Sequence, residues 1–171
     1  MKTETYDKLK KLHLQYKPQE FGKICQKLLA ISFQKAGYSH IIERSIQGVD
    51  IDVANEKGEK YAIEVKTSVN NSVIFETKDA YGLQQRKKDG YQPVLAALEL
   101  KMFSSWAFIK ANDLKPGKHH INLLVPRIYE LEDIINPLFD QAVKEHFKDT
   151  LDKGQKYLNE ILIKGGAEVR E

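Results

Sequence analysis

Two short segments of this chain carry charges that β geometry would gather on one surface: Gly48-Val49-Asp50-Ile51-Asp52 and Ile63-Glu64-Val65-Lys66. Successive side chains of a strand alternate between faces, so Asp50, Asp52, Glu64 and Lys66 all leave the face that holds the branched apolar residues. Between the segments, Glu56-Lys57-Gly58 has the form of a three-residue hairpin loop, with Gly58 in the left-handed position of a type I turn plus bulge. Counting back from Asn55 opposite Glu59 sets Asp50 opposite Glu64, with Cβ atoms about 5 Å apart. Like charges opposed across a ladder destabilise it unless a cation lies between them or one acid keeps its proton. A hard divalent ion meets that need. Mg²⁺, with Mn²⁺ as its substitute, takes one or two carboxylates and completes an octahedron with water, phosphate oxygens and, here, the backbone carbonyl of Val65. Lys66, about 7 Å along the same face from Glu64, could reach an attacking water or a scissile phosphate. A metal that acidifies water and offsets developing charge, beside a fixed ammonium, suits phosphodiester hydrolysis.

Such a hairpin needs a frame, and the rest of the chain supplies its elements. From Pro18 to Ala36, Phe21, Ile24, Cys25, Leu28, Leu29 and Ser32 recur at helical spacing, with Pro18 suited to a first turn and Gly37 to a C-terminal cap. A shorter basic helix from about Tyr6 to Tyr16 precedes it. The period then changes to two in the runs IIERSI, VDIDVAN and KYAIEVKTS, which read as a meander of three strands. A helix from Thr77 to Asp89 stops at Gly90 and leads into the buried-looking run VLAALEL. WAFIKA and HHINLLV read as further strands separated by the turn KPGK, for a sheet of five or six. Beyond Glu130 the pattern is helical to about Lys164, with Leu131, Ile134, Ile135, Leu138, Phe139, Ala142, Val143 and Phe147 on one stripe. Asn136-Pro137 offers a cap and first position at which that helix would break and restart. The expected fold is α/β: a mixed central sheet with an antiparallel meander, flanked by helices, in one domain over 1–164 with a flexible tail over 165–171.

Composition agrees with one globular domain. The chain has 171 residues, of which 42% are hydrophobic and 30% charged, enough to bury roughly two-thirds of the unfolded surface. Mean hydropathy is −0.49, and no apolar run approaches the ~18 residues of a membrane span. The charged start MKTETYDKLKK lacks the apolar centre of a secretory signal, so a cytoplasmic location is expected. The lone Cys25 sits on the apolar stripe of the Pro18–Ala36 helix and reads as a core thiol. A net charge of +3 and pI near 8.8 permit a polyanion partner without requiring one.

Gly48-Val49-Asp50, thirteen intervening residues and Glu64-Val65-Lys66, following a helix that ends at Gly37-Tyr38, resemble the PD-(D/E)XK nuclease superfamily. That superfamily includes restriction endonucleases, Mrr-type enzymes and archaeal Holliday-junction resolvases. The likeness spans about Gly22 to Ser68, or on to Leu98. It implies a restriction-endonuclease-like core and a Mg²⁺-dependent DNA endonuclease in which Asp50 and Glu64 bind the metal and Lys66 is the catalytic lysine. Two departures stand out. Val49 occupies the usual proline position, although a Gly-x-Asp form is familiar in Mrr-like members. Gln26 stands where many members carry a helix glutamate. Its amide oxygen could still coordinate metal or a metal-bound water, and Asp52, opposite the small Ala62, is placed to restore the lost charge. Glu20, about 240° round the helix from Gln26, is a poorer substitute. Related nucleases use a Gln or Lys in the second helix, which points to Gln84 or Gln85 for orienting water. Arg86, Lys87 and Lys88 either contact DNA or offset the helix dipole. A nuclease of this size with one site cuts two strands by pairing with itself, and the C-terminal stripe is the expected homodimer interface.

Two readings compete with the enzyme. The same fold without catalysis would be a nucleic-acid-binding module, a reading motivated by Gln26. A solvated acidic hairpin on an interaction protein would bind no metal. His119-His120 beside Asn122, and Tyr81, Tyr91 and Trp106, are explained by a polar strand face and by packing. The residues name a reaction and leave open the form of the substrate: specific duplex, junction, damaged end or RNA.

Overall fold

The computed structural model describes residues 1–44 and 49–170. Gly48 of the Gly-Val-Asp motif, and Ser45 and Ile46 at the end of the IIERSI run, lie outside the described residues. The elements in chain order are α1 (Thr3–Gln15), α2 (Pro18–Lys35), β1 (His40–Glu43), β2 (Ile51–Ala54), β3 (Lys60–Ser68), β4 (Ser72–Phe75), α3 (Thr77–Lys88), β5 (Gln92–Glu99), β6 (Ala107–Lys110), β7 (Gly117–His120), α4 (Tyr129–Lys153) and α5 (Gln155–Lys164). Among the described residues the main sheet has five strands in the order β1-β2-β3-β5-β6. β1, β2 and β3 form an antiparallel meander, β5 returns parallel to β3 after α3, and β6 closes the edge antiparallel. No helix among the described residues is long and apolar enough to cross a membrane.

Alternation along the strands builds two apolar layers. Ile51, Val53, Ile63, Val94, Ala96 and Leu98 face α2, α4 and α5, where they meet Ile24, Leu28, Phe139, Val143 and Leu158. α2 is buried on almost every side from Ile24 to Phe33, the mark of a helix enclosed by other elements rather than lying on a surface. On the opposite face Ala62, Leu95, Ala97 and Ile109 pack against Leu83 of α3 and against Val73 and Phe75 of β4. The hairpin register is that set by its loop. Asn55 N–H donates to Glu59 O at 3.1 Å, Gly58 has φ +85°, and Asp52 faces Ala62.

Three expectations are corrected. HHINLLV is not one strand: His119 and His120 end β7, and Ile121–Leu123 form a 3-10 turn. Ile121 and Leu124, three residues apart and both buried, are the anchors that a turn of that pitch aligns. β7 pairs with β4 in a separate two-stranded sheet. Secondly, α4 runs unbroken through Pro137 and breaks instead at Gly154 (φ +66°, ψ −145°). Pro137 and Asp133, whose carbonyl loses its helical donor, are both exposed, so water can satisfy that group. Asn136 is no cap: its side chain brackets Trp106, accepting from the N–H at 2.9 Å and donating to the carbonyl at 3.1 Å. Residues 167 and 168, among those described, lie against the sheet edge. β1 is an edge strand with free backbone groups, and Glu43 N–H donates to Glu168 O while Glu168 N–H donates to Ile41 O. Ala167 is buried there. Lastly, Leu131, Ile135, Phe139, Ala142 and Val143 of the C-terminal stripe are buried within the chain, so the stripe is not a free dimer surface.

Candidate active site

β2 starts to pair at Ile51, whereas β3 runs on to Ser68 with β5 along its other side. One edge of β3 is therefore open just past Ile63, and Asp50 fills it. Its N–H donates to Ile63 O at 2.9 Å, and its Oδ2 accepts from Val65 N–H at 2.8 Å. The N–H and C=O of a strand residue point to the same side, so the Val65 carbonyl is directed into the same gap. Above it lies a cavity of about 490 Å³ whose lining includes Lys23 and Gln26 of α2, Asp50, Glu64, Val65 and, from the start of α5, Gln155. Another hollow, of about 440 Å³, adjoins β6 with Lys110, Lys115, His119 and the single acid Asp113 in its wall, and holds no pair of carboxylates.

The acids at the first cavity are unusually hard to ionise. Glu64 is 7% exposed, and burial, reinforced by the charges of Asp50 and Asp79, pushes its carboxyl up to about 8. Asp50 is raised by burial as well, against the opposing pull of the Val65 N–H, Lys23 and Lys66. Lys66 Nζ lies 3.4 Å from Glu64 Oε1 and 3.0 Å from Asp79 Oδ2. Burial alone would lower its ammonium, but these two carboxylates outweigh it and the net shift is upward. Two lysines thus serve three acids: Lys66 meets Glu64 and Asp79, and Lys23 lies 3.8 Å from Asp50.

Among the described residues no three His, Cys, Asp or Glu side chains form a metal-holding cluster. The donor set is narrower: the carboxylates of Asp50 and Glu64, with neutral oxygens on Gln26 and Val65. Two carboxylates, neutral oxygens and space for water are what a small hard cation such as Mg²⁺ requires, and the residues fit it. Gln26 is 5% exposed; its Nε2 donates to Glu43 at 2.7 Å and its Oε1 lies 3.4 Å from Lys23 Nζ.

Other expected site residues are placed elsewhere. Asp52 is 1% exposed and paired with Arg44 at 2.9 Å and Arg86 at 2.8 Å, so its charge is committed to two arginines and it does not line the cavity. Gln84 donates to the carbonyl of Asn112 at 2.8 Å, and neither it nor Gln85 borders the cavity. Arg86 also meets Asp89 at 2.6 Å and lies over the Tyr91 ring, which leaves it a structural cation. Lys87 and Lys88 are exposed at the end of α3. Residues that the sequence reading missed are Asp79, Lys23, and the buried pair Lys27 and Glu43, 2.6 Å apart. Asp79 did carry a signal, since Glu76 and Asp79 have capping-box spacing, but that pattern marks a helix start rather than a lysine partner.

No family model matches the sequence, and no curated protein matches it. Among solved structures the chain is similar to Hjc, a Holliday junction resolvase from the archaeal hyperthermophile Archaeoglobus fulgidus. The TM-score is 0.53 at 20% identity, over 66% of this chain and 95% of the resolvase. At that identity the likeness is one of fold. The five-strand mixed sheet with its meander and flanking helices is the fold of that resolvase, as the likeness of the motifs implied.

Proposed function

We propose that this chain is a Mg²⁺- or Mn²⁺-dependent endodeoxyribonuclease that hydrolyses phosphodiester bonds, with branched DNA as its favoured substrate. The observation that carries the reading is the pairing of Asp50 and Glu64 at one cavity, with Lys66 in contact with Glu64. The preference for branched DNA is supported by the fold shared with the archaeal resolvase. Held by Asp50 and Glu64, with oxygens of Gln26 and Val65 beside them, the cation would supply Lewis acidity toward water and toward a phosphodiester oxygen. Glu64 would hold such a cation in its ionised form. Lys66, fixed by Asp79, offers its ammonium to charge that develops on the phosphate. Lys23 and Gln155 at the cavity wall offer donors to the flanking backbone. Two strands must be cut, so the working form is proposed to be a homodimer, and with the α4 stripe buried it must use another face.

The test is incubation with linear, supercoiled, four-way-junction and single-stranded DNA in Mg²⁺ and in Mn²⁺. Cleavage should require the ion, be abolished in Asp50→Ala and Glu64→Ala, and fall by about 10²–10³ in Lys66→Ala, with DNA binding retained. Unchanged cleavage in Asp50→Ala removes the site. The neutral Gln26 favours one second reading, a DNA-binding module of the same fold that does not cut. It predicts binding to junctions with no ion-dependent products. Light scattering that returns a monomer on DNA sets aside the dimer.

A further inference from the structure

We propose that Glu43 is a positioning residue for the cavity, holding the Gln26 amide so that its carbonyl oxygen, rather than its NH2 group, is presented to the Asp50 and Glu64 side. This rests on the reading of that cavity as a metal site and deepens it.

A glutamine amide has a donating and an accepting end, and a buried neighbour decides which way it points. The neighbour here is a carboxylate, which accepts only. Glu43 Oε2 takes the Gln26 Nε2 donor at 2.7 Å, which sends Oε1 the other way, toward Lys23 Nζ at 3.4 Å. Lys23 in turn lies 3.8 Å from Asp50, and Lys23, Gln26, Asp50 and Glu64 all border the same cavity. The oxygen therefore lies on the cavity side of the amide, beside the lysine that reaches Asp50.

Glu43 can dictate this orientation because it is itself held. Its side chain and that of Lys27 are each 1% exposed and meet at 2.6 Å. Such a pair persists in a core only when its remaining hydrogen-bonding capacity is met. The docked C-terminal segment does part of that: Lys27 Nζ donates to Arg170 O at 3.0 Å, and Arg170 N–H donates to Glu43 Oε1 at 3.3 Å. The buried Lys27 and Glu43, bridged by the Arg170 backbone, thus form a bracket that reaches the cavity through Gln26.

The test is calorimetric titration of the full chain with Mn²⁺ in the absence of DNA. Lys27→Met combined with Glu43→Leu removes the bracket without stranding a buried charge, and Gln26→Met removes the oxygen at similar size. Each is expected to weaken Mn²⁺ binding by about tenfold or more, the usual effect of losing a partner that orients a ligand. All three substitutions together should weaken it no further than Gln26→Met alone. A bracket variant that keeps the wild-type circular dichroism spectrum and binds Mn²⁺ within twofold of wild type overturns the proposal. Should that variant fail to fold, the Gln26 side-chain NH2 resonances of the wild type decide. Slow exchange before and after Mg²⁺ supports the fixed amide, and fast exchange in either state overturns it. Glu64→Ala is the control for the underlying reading: if it binds Mn²⁺ as tightly as wild type, the metal site itself is wrong and the positioning role falls with it.

Discussion

Asp79, 1% exposed in the first turn of α3, lies 3.0 Å from Lys66 Nζ, closer than the 3.4 Å that separates the lysine from Glu64. The same Asp79 oxygen accepts the Glu76 N–H at 2.9 Å. One carboxylate thus starts the helix and holds the lysine, so the place of Lys66 is set by α3 as much as by its own strand.

Asp79→Asn separates these two duties. Asparagine still accepts the Glu76 N–H, but no longer attracts the ammonium by charge. Ion-dependent DNA cleavage should drop roughly tenfold, against about 10²–10³ for Lys66→Ala, which removes the cation itself. Asp79→Ala also loses the cap and should lower stability by a further ~1 kcal/mol. The measurement is initial cleavage rate at fixed pH alongside a urea melt. Wild-type rates in Asp79→Asn would mean that the lysine needs no orienting partner.

Arg86 and the neighbouring lysines should part company. Arg86→Ala leaves Asp52, buried and charged, with Arg44 alone, and is expected to cost about 2–4 kcal/mol in urea unfolding. Lys87→Ala and Lys88→Ala should change stability by no more than about 0.5 kcal/mol. If they touch the duplex, each lowers the salt slope of DNA binding by about 0.9. A stable Arg86→Ala protein with weakened DNA affinity would reverse these assignments.

What the sequence disclosed and what it concealed divides by distance along the chain. The β2–β3 register follows from Gly58 and from alternation, both decided within a few residues. The approach of Asp50 and Glu64 comes with that register, although Asp50 leaves the ladder to accept the Val65 N–H. Asp52 shows the other case. Its face was readable, but its partners Arg44 and Arg86 are 8 and 34 residues away, and only the packing of α3 on the sheet decides that they consume its charge. Glu43 and Lys27 looked like ordinary positions of a strand and a helix until the tail closed over them. Pro137 misled for a related reason: its local cost is tolerated because that side of α4 faces water.

The α4–α5 break gives a backbone prediction. Gly154 holds φ +66° and ψ −145°, open in practice to glycine alone, and an added Cβ would lie 3.2 Å from the Tyr16 hydroxyl oxygen. Gly154→Ala should cost about 1–3 kcal/mol and lower the melting temperature. Tyr16→Phe, which loses only the hydroxyl's donation to the Thr150 and Leu151 carbonyls at 3.0 and 2.9 Å, should cost about 1 kcal/mol. Equal melting of Gly154→Ala and wild type would show that the junction relaxes freely.

The weakened acidity of Glu64 turns into a stability profile whose sign can be worked out. Its carboxyl titrates near 4.5 ordinarily and near 8 in the folded chain, chiefly through burial and next through Asp50 and Asp79. Below about pH 4.5 both states hold the proton and there is no difference between them. Between 4.5 and 8 the folded chain keeps a proton that the unfolded chain has released, so stability falls as pH rises. Above 8 both are ionised and the whole penalty remains. Asp50, raised by burial, acts in the same direction, while the raised Lys66 amine stays protonated throughout this window. With a chelator present, urea melts should therefore weaken from pH 5 to pH 8, by at most about 1.4 kcal/mol per pH unit for each proton involved. Glu64→Gln should flatten much of that decline and exceed wild type in stability at pH 8. Adding Mg²⁺ at pH 8 should recover stability in the wild type more than in Glu64→Gln, because only the former offers two carboxylates to the ion. If Glu64→Gln keeps the wild-type pH dependence, the buried acid that resists ionisation is not Glu64, and the pairing with Asp50 no longer accounts for a cation at this end of β3.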